Sequence, residues 1–362
     1  MSKVEISRVQ IIFALSWSVI GTAIVTVPFV IAQFTVRDGW IVGLLFSVGG
    51  LLSASVAALF VYALPNRSLT SGLIDALGPW LGRVLGLWFL IWLYIINCTV
   101  LREAELFVGN TIMPKTPEYV LGFFSMVAVS YAVYMGSEVV MRDSDFIVPL
   151  AFLVVPLLIG LSLQHVDVAQ LMPVLANGWQ SVLRGAVVPD LTYALELLIG
   201  LQFAHVLRNS QTLPKDMIIS ACILTVVATI LMVITIGVVG QSASYLQYPV
   251  LEVVRSIRVS RFLERLDTLY VMGVISTIFI KLAVFHYAWC EGMKDVFKLS
   301  SYRVVAFSGG LLLWAGSIAC FRTEAQMEHF IMSVAPAYFV VTLVCIPLLA
   351  VMVMKLRKRA QR

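Results

Sequence analysis

Long apolar runs, broken by charges, glycines and prolines, dominate the chain. A helix crosses the roughly 30 Å hydrocarbon core of a bilayer in about 20 residues, so runs of 18 or more read as membrane spans. Ten are expected. Five lie at 9–34, 39–63, 80–106, 118–135 and 144–163. After a polar connection containing Pro173, Asn177, Gly178 and Arg184, five more are expected at 187–206, 216–239, 267–293, 302–320 and 330–354. The chain thus divides into a first five-helix repeat (1–163), a connecting loop (164–186), a second repeat (187–354) and a basic tail (355–362). An odd number of spans per half turns the two halves over relative to one another, giving an inverted repeat. In such folds the first helix of each half is typically interrupted near the midplane, where freed backbone groups bind substrate and ion. Interruptions are therefore expected in spans one and six.

Composition fits this reading. Of 362 residues, 60% are apolar and 12% charged, with a mean hydropathy of +0.96, against about 45–50% and 25% in soluble domains. The apolar run from Val9 to Phe34 is too long for a signal-peptide core, so the first helix is expected to stay in the mature chain. With both termini cytoplasmic, fifteen of the 25 Lys and Arg fall on inside segments and nine outside, as the positive-inside tendency requires. Four of the nine, Arg255, Arg258, Arg261 and Arg265, form the stripe of one amphipathic connection, read as a solvated helix face. Most of the +5 excess sits in the tail, which argues for a membrane-proximal anchor and against a nucleic-acid surface. The five cysteines show no C-x-x-C spacing and read as small core residues, and the four histidines show no metal-ligand spacing. No cofactor or metal is expected.

Within span one, Gly21, Thr22 and Ala23 precede Pro28. Glycine permits backbone conformations closed to other residues and proline removes a donor, so a break is expected here, although both also occur in ordinary kinked membrane helices. Span six begins after Pro189-Asp190 and carries Tyr193 and Glu196. A carboxylate inside a span by default marks a site. If the helix opens near Ala194, its amide groups can receive an anion. Glu196 then either binds a cationic amine or steadies the broken backbone. Lys281 lies fourteen residues after Asp267 and thirteen before Lys294, about 20 Å from either flank. Its side chain cannot snorkel to a headgroup and must face the bundle interior, either as a fixed cation that neutralises a ligand carboxylate or stands where related transporters bind sodium, or in a salt bridge with Glu196 that serves packing. On span three, Trp92 and Ile96 are four apart and share a face, as pocket lining or as ordinary packing.

Four stretches carry a family resemblance: Ile6-Ser7 through Pro28; Asp38-Gly39-Trp40; Gly78-Pro79-Trp80-Leu81-Gly82; and Tyr248-Pro249-Val250-Leu251-Glu252 through Phe262-Leu263-Glu264-Arg265-Leu266-Asp267. The chain resembles the B subunits (GerAB type) of bacterial spore germinant receptors, of the amino acid, polyamine and organocation transporter superfamily. The resemblance implies an all-α, ten-helix bundle of the LeuT type in the spore inner membrane. It also implies a small germinant, such as an amino acid, bound in a transporter-like pocket, with signalling to a membrane A subunit and a lipoprotein C subunit. Carried over by position, the pocket would comprise Gly21, Thr22, Ala23, Trp92, Ile96, Tyr193, Glu196, Lys281 and Tyr338. Ala23 and Ala194 stand where many members have glycine, and Lys281 where relatives carry a small hydroxylated residue. A cation there would select a carboxylate-rich germinant. The alternative function is a proton-coupled amino-acid permease, titrating through Glu196 or Lys281. An enzyme is not expected, since no nucleophile or base constellation is visible.

Overall fold

The computed structural model describes residues 6–257 and 266–360, and among them it is helical apart from one isolated bridge between Ile6 and Leu207. Helix α1 (Arg8–Phe34) opens with a capping box: Ser7 Oγ accepts from Gln10 N, and Gln10 Oε1 accepts from Ser7 N. It is followed by α2 (Gly39–Ala63), a short α3 (Leu69–Leu77), α4 (Leu81–Thr111), α5 (Glu118–Met135), α6 (Ser137–Ser162) and α7 (Gly178–Val188). The second half contains α8 (Leu213–Val239), α9 (Pro249–Ser256), α10 (Leu266–Phe297) and α11 (Ala306–Cys320). The last helical stretch is α12 (Glu324–His329), α13 (Ala335–Phe339) and α14 (Ile346–Ala360), joined by π-helical turns at Phe330–Val334 and Val340–Cys345.

Eight of the expected spans are helices long and apolar enough to cross a membrane, and the chain is a multi-pass membrane protein. The other two expectations fall on α6, whose side chains at 143–153 lie outside the described set, and on the segment from α7 to Phe203. Of the arginine stripe, Arg255 pairs with Glu252 at 2.8 Å, while Arg258, Arg261 and Arg265 lie outside the described residues. Outward positions such as Leu44, Val48 and Leu59 on α2, and Leu87 and Ile91 on α4, are apolar and exposed. Lipid-facing helix sides have this character, because the backbone saturates its own hydrogen bonds and leaves only side chains to meet the hydrocarbon. The core reading of the cysteines holds for Cys98 and Cys290 but not for Cys222, Cys320 and Cys345, which lie on exposed faces. A cysteine is apolar enough for lipid to cover it in place of protein.

Helix α1 runs unbroken through Gly21 and Pro28, so the expected interruption of span one is not present. The glycine serves a different need. A Cβ on Gly21 would lie 2.7 Å from the backbone oxygen of Thr277, so its absence lets α1 and α10 cross almost backbone to backbone. Distortion is concentrated in the other half. After α7 the helix widens into a π turn, Pro189–Tyr193, then tightens into ten residues of 3₁₀ helix, Ala194–Phe203. Pro189 cannot donate, and its ring crowds the carbonyl one turn back. A 3₁₀ run of that length is uncommon, and one inside a helix marks a hinge or strain. Helix α2 supports it from outside: Gly49 lies flush against Asp190 and Ala194, and Ser53 Oγ donates to the Ala194 carbonyl at 2.9 Å. The expected connection at 164–186 already contains the first turns of α7, and the amide of Leu175 donates to buried Asp38 at the start of α2 at 2.7 Å.

The central packing brings α1 and α4 against α10, α2 along α8, and α11 against α4 and α5. The distorted segment 189–203 sits inside this ring against α1, α2 and α10.

Candidate functional site

Three helices meet at Lys281. Its ammonium, on α10, donates to Glu196 Oε1 at 2.8 Å, to Glu196 Oε2 at 2.7 Å and to Thr22 Oγ1 on α1 at 2.6 Å. Lys281 is 1% exposed and Glu196 3%. The rings of Tyr193 and Phe285 each lie 5.5 Å from the ammonium, adding cation–π attraction where water is absent. An ammonium has three N–H donors, and here three oxygens receive them. Lys281 therefore has no free donor for a ligand carboxylate, and each oxygen of Glu196 accepts from Lys281.

Beside this cluster is a small cavity whose walls include Thr22, Ile96, Glu103, Tyr193, Glu196 and Lys281, with Thr192 and Phe339. Of the nine residues expected to form a pocket, the structure gathers Thr22, Ile96, Tyr193, Glu196 and Lys281 around this space. Trp92 stands immediately behind it, fully buried, stacked on Phe89 at 5.7 Å and edge-on to Phe339 at 5.0 Å.

Three positions fall elsewhere. Gly21 is taken up by the crossing with Thr277. Ala23, one residue and about 100° around the helix from Thr22, lines a separate apolar cavity between α1 and α8. Tyr338 turns to Trp88, edge-on at 5.7 Å, and its neighbour Phe339 faces the site instead. The π turns on either side of 335–339 each insert extra backbone into the helix, so counting residues along the sequence selects the wrong face.

The expected set misses Glu103, Thr26 and Thr192. Glu103 is 5% exposed on α4 and accepts a hydrogen bond from Thr26. A carboxylate within the expected span 80–106 gives the same signal that singled out Glu196. Glu103 and Ile331 also border a second space whose walls include Tyr248, Glu324 and Glu328. This second space lies toward the end of α1 opposite its amino terminus, the outer side if that terminus is cytoplasmic as the loop charges predict. There Gln247 donates to Glu324. Burial, with Glu324 nearby, pushes the Tyr248 phenol up from its usual range and keeps it neutral.

On the opposite side lies another polar cluster. Glu291, 3% exposed, pairs with His205 at 3.1 Å and with Lys294, while Ser68 and Thr70 donate to Asp295 at 2.7 and 2.6 Å. It ties α10 to the end of the distorted segment and to α3.

Residues 5–328 match the model of a family described as "Spore germination protein". The chain belongs to this family. Among its spore germination relatives, protein KB of Bacillus subtilis (strain 168) is 24% identical over 342 residues, covering 93% of this chain and 91% of the relative. Protein YndE of the same organism is 21% identical over 347 residues, covering 95% and 94%. Protein XB of Bacillus anthracis is 22% identical over 250 residues, covering 68% and 69%. The crystal structure of MhsT in complex with L-phenylalanine superposes with a TM-score of 0.69 at 15% identity, covering 98% of this chain and 89% of that one. The chain thus has the LeuT-type fold of MhsT.

Proposed function

We propose that the chain is the nutrient-sensing membrane subunit of a spore germinant receptor, binding a small germinant in the cavity beside Lys281 and passing the change to partner subunits. The observation that carries the reading is the buried contact of Thr22, Glu196 and Lys281. It joins α1, the distorted helix and α10 at the wall of a small polar cavity, in a chain whose family is named for spore germination. A ligand entering there acts on the strained 189–203 segment, and a two-state element is what a signal requires. MhsT, of the same fold, was crystallised with L-phenylalanine, which supports an amino acid as the germinant. The partners implied by the resemblance are a membrane A subunit and a lipoprotein C subunit, and the spore inner membrane is the proposed location.

The ten-span, five-plus-five reading belongs to the same proposal. Numbering the expected spans along the chain, the second packs on the seventh (α2 on α8), the third on the eighth (α4 on α10) and the fourth on the ninth (α5 on α11). Such pairing of equivalents supports a two-fold relation between residues 1–163 and 187–354.

A proton-coupled amino-acid permease is the alternative favoured by the shared fold. Calorimetric binding of the purified chain to amino acids, sugars and nucleosides, with uptake by proteoliposomes alongside, separates the two. The receptor reading expects saturable binding that is lost in Lys281→Ala, without concentrative uptake. Uptake driven by a pH gradient would establish the permease.

A further inference from the structure

We propose that Glu103 is the ammonium-binding residue of the central cavity, so that the ligand is a small molecule carrying a free primary amine. This rests on the binding role proposed above and specifies its chemistry. Two carboxylates and one ammonium line the space. Lys281 and Glu196 neutralise one another's charge, and all three ammonium donors are committed within 2.8 Å, two to Glu196 and one to Thr22. What the walls present to a ligand is therefore the charge of Glu103.

Among the described residues Glu103 makes no ion pair, and the Thr26 hydroxyl is its one hydrogen-bond donor. A carboxylate has about four acceptor positions. A buried charge without a counterion is costly, and a cation at the same depth removes that cost. A second observation points to the same place. The hydroxyl of Thr192, 5% exposed and lining the same cavity, has no hydrogen-bond partner. An unpaired buried hydroxyl and an uncompensated carboxylate in one small space match an alkylammonium, which offers three donors and needs acceptors on more than one side. The route in is consistent. Glu103 also borders the outer space, whose walls carry Glu324 and Glu328, so a cationic group meets acceptors from the mouth to the centre.

The ligand class differs from the one suggested by a lysine in a pocket. An ammonium with no free donor does not select for extra carboxylates, whereas an unpaired carboxylate selects for an amine.

The test uses the purified full-length chain and matched probes: each of the common amino acids, its N-acetyl derivative and its deaminated acid, titrated calorimetrically. Binding is expected only for probes with the free amine. Glu103→Gln is expected to weaken those probes by about ten- to hundredfold, and Thr192→Val by a smaller factor, with thermal unfolding of both variants near that of the parent. Equal binding of an N-acetyl or deaminated probe, or an unchanged affinity in Glu103→Gln, overturns the assignment while leaving the receptor reading standing. Binding of no probe by the parent chain overturns the assignment, and the panel of sugars and nucleosides then decides the receptor reading. If Glu103→Gln fails to fold, the comparison of matched probes on the parent chain decides.

Discussion

Replacing Lys281 by methionine keeps the length of the side chain and deletes its ammonium. The Glu196 carboxylate, 3% exposed, then loses two charge-assisted hydrogen bonds at 2.7 and 2.8 Å, and no other donor to it is present among the described residues. Breaking one side of a buried ion pair costs about 3–5 kcal/mol, because the orphaned charge stays buried, whereas replacing both sides by neutral groups is often nearly free. Lys281→Met is therefore expected to lose about 3–5 kcal/mol, and adding Glu196→Gln should return most of it. At about 2 °C per kcal/mol for a chain of this size, the apparent Tm falls by about 6–10 °C in the single variant and recovers in the double. Thermal unfolding of the purified proteins, arranged as a double-mutant cycle, measures this. Parent-like stability of Lys281→Met, or a double variant no more stable than the single, would show that the pair is not the buried, mutually compensating contact described.

Other substitutions probe separate parts of the fold by the same assay. Gly21→Ala forces a methyl to within 2.7 Å of the Thr277 carbonyl and should cost about 1–3 kcal/mol. Gly160→Ala, with nothing within 4 Å, should be neutral, and equal effects would contradict the α1–α10 crossing. Arg102 is 10% exposed and pairs with buried Glu105 at 3.1 Å and with half-exposed Glu118 at 2.6 Å. Arg102→Met should cost about 3 kcal/mol or more and Glu118→Gln less than about 1, an ordering that stability measurements on the two variants test. Phe339→Ala should destabilise by about 3–5 kcal/mol and admit bulkier ligands, whereas Tyr338→Phe should change binding by less than twofold. A reversal would put Tyr338 in the site.

Much of the fold can be read from local properties. Apolar run length marks the spans, because a bilayer sets one length scale and α1, α2, α5, α8 and α10 meet it with little interruption. Lys281 and Glu196 stand out because an ionised side chain far from either headgroup region has to be paired. Pro189 foretells the distortion that follows it. What stays hidden depends on the third dimension. Gly21 suits a helix break and a close helix crossing equally well, since both exploit a missing Cβ, and only the position of Thr277 distinguishes them. Thr22 meets Lys281 across 259 residues of chain, which no local pattern encodes. Phe339 displaces Tyr338 because the π turns shift the helical phase that residue counting takes for granted. Glu103 is a different case. It carries the same signal as Glu196, a carboxylate inside an expected span, on a span where Trp92 and Ile96 draw attention to a different face.

The most direct test of the central claim is to fill the cavity without touching its charges. Ile96 lines the space from α4, and Ile96→Trp adds enough volume to occlude it while leaving the Lys281 and Glu196 contacts in place. Equilibrium binding of the best amino-acid ligand to the parent chain and to this variant should show saturable binding in the first and its loss in the second, with both proteins folded. Unchanged affinity in Ile96→Trp would place the ligand elsewhere and contradict the account.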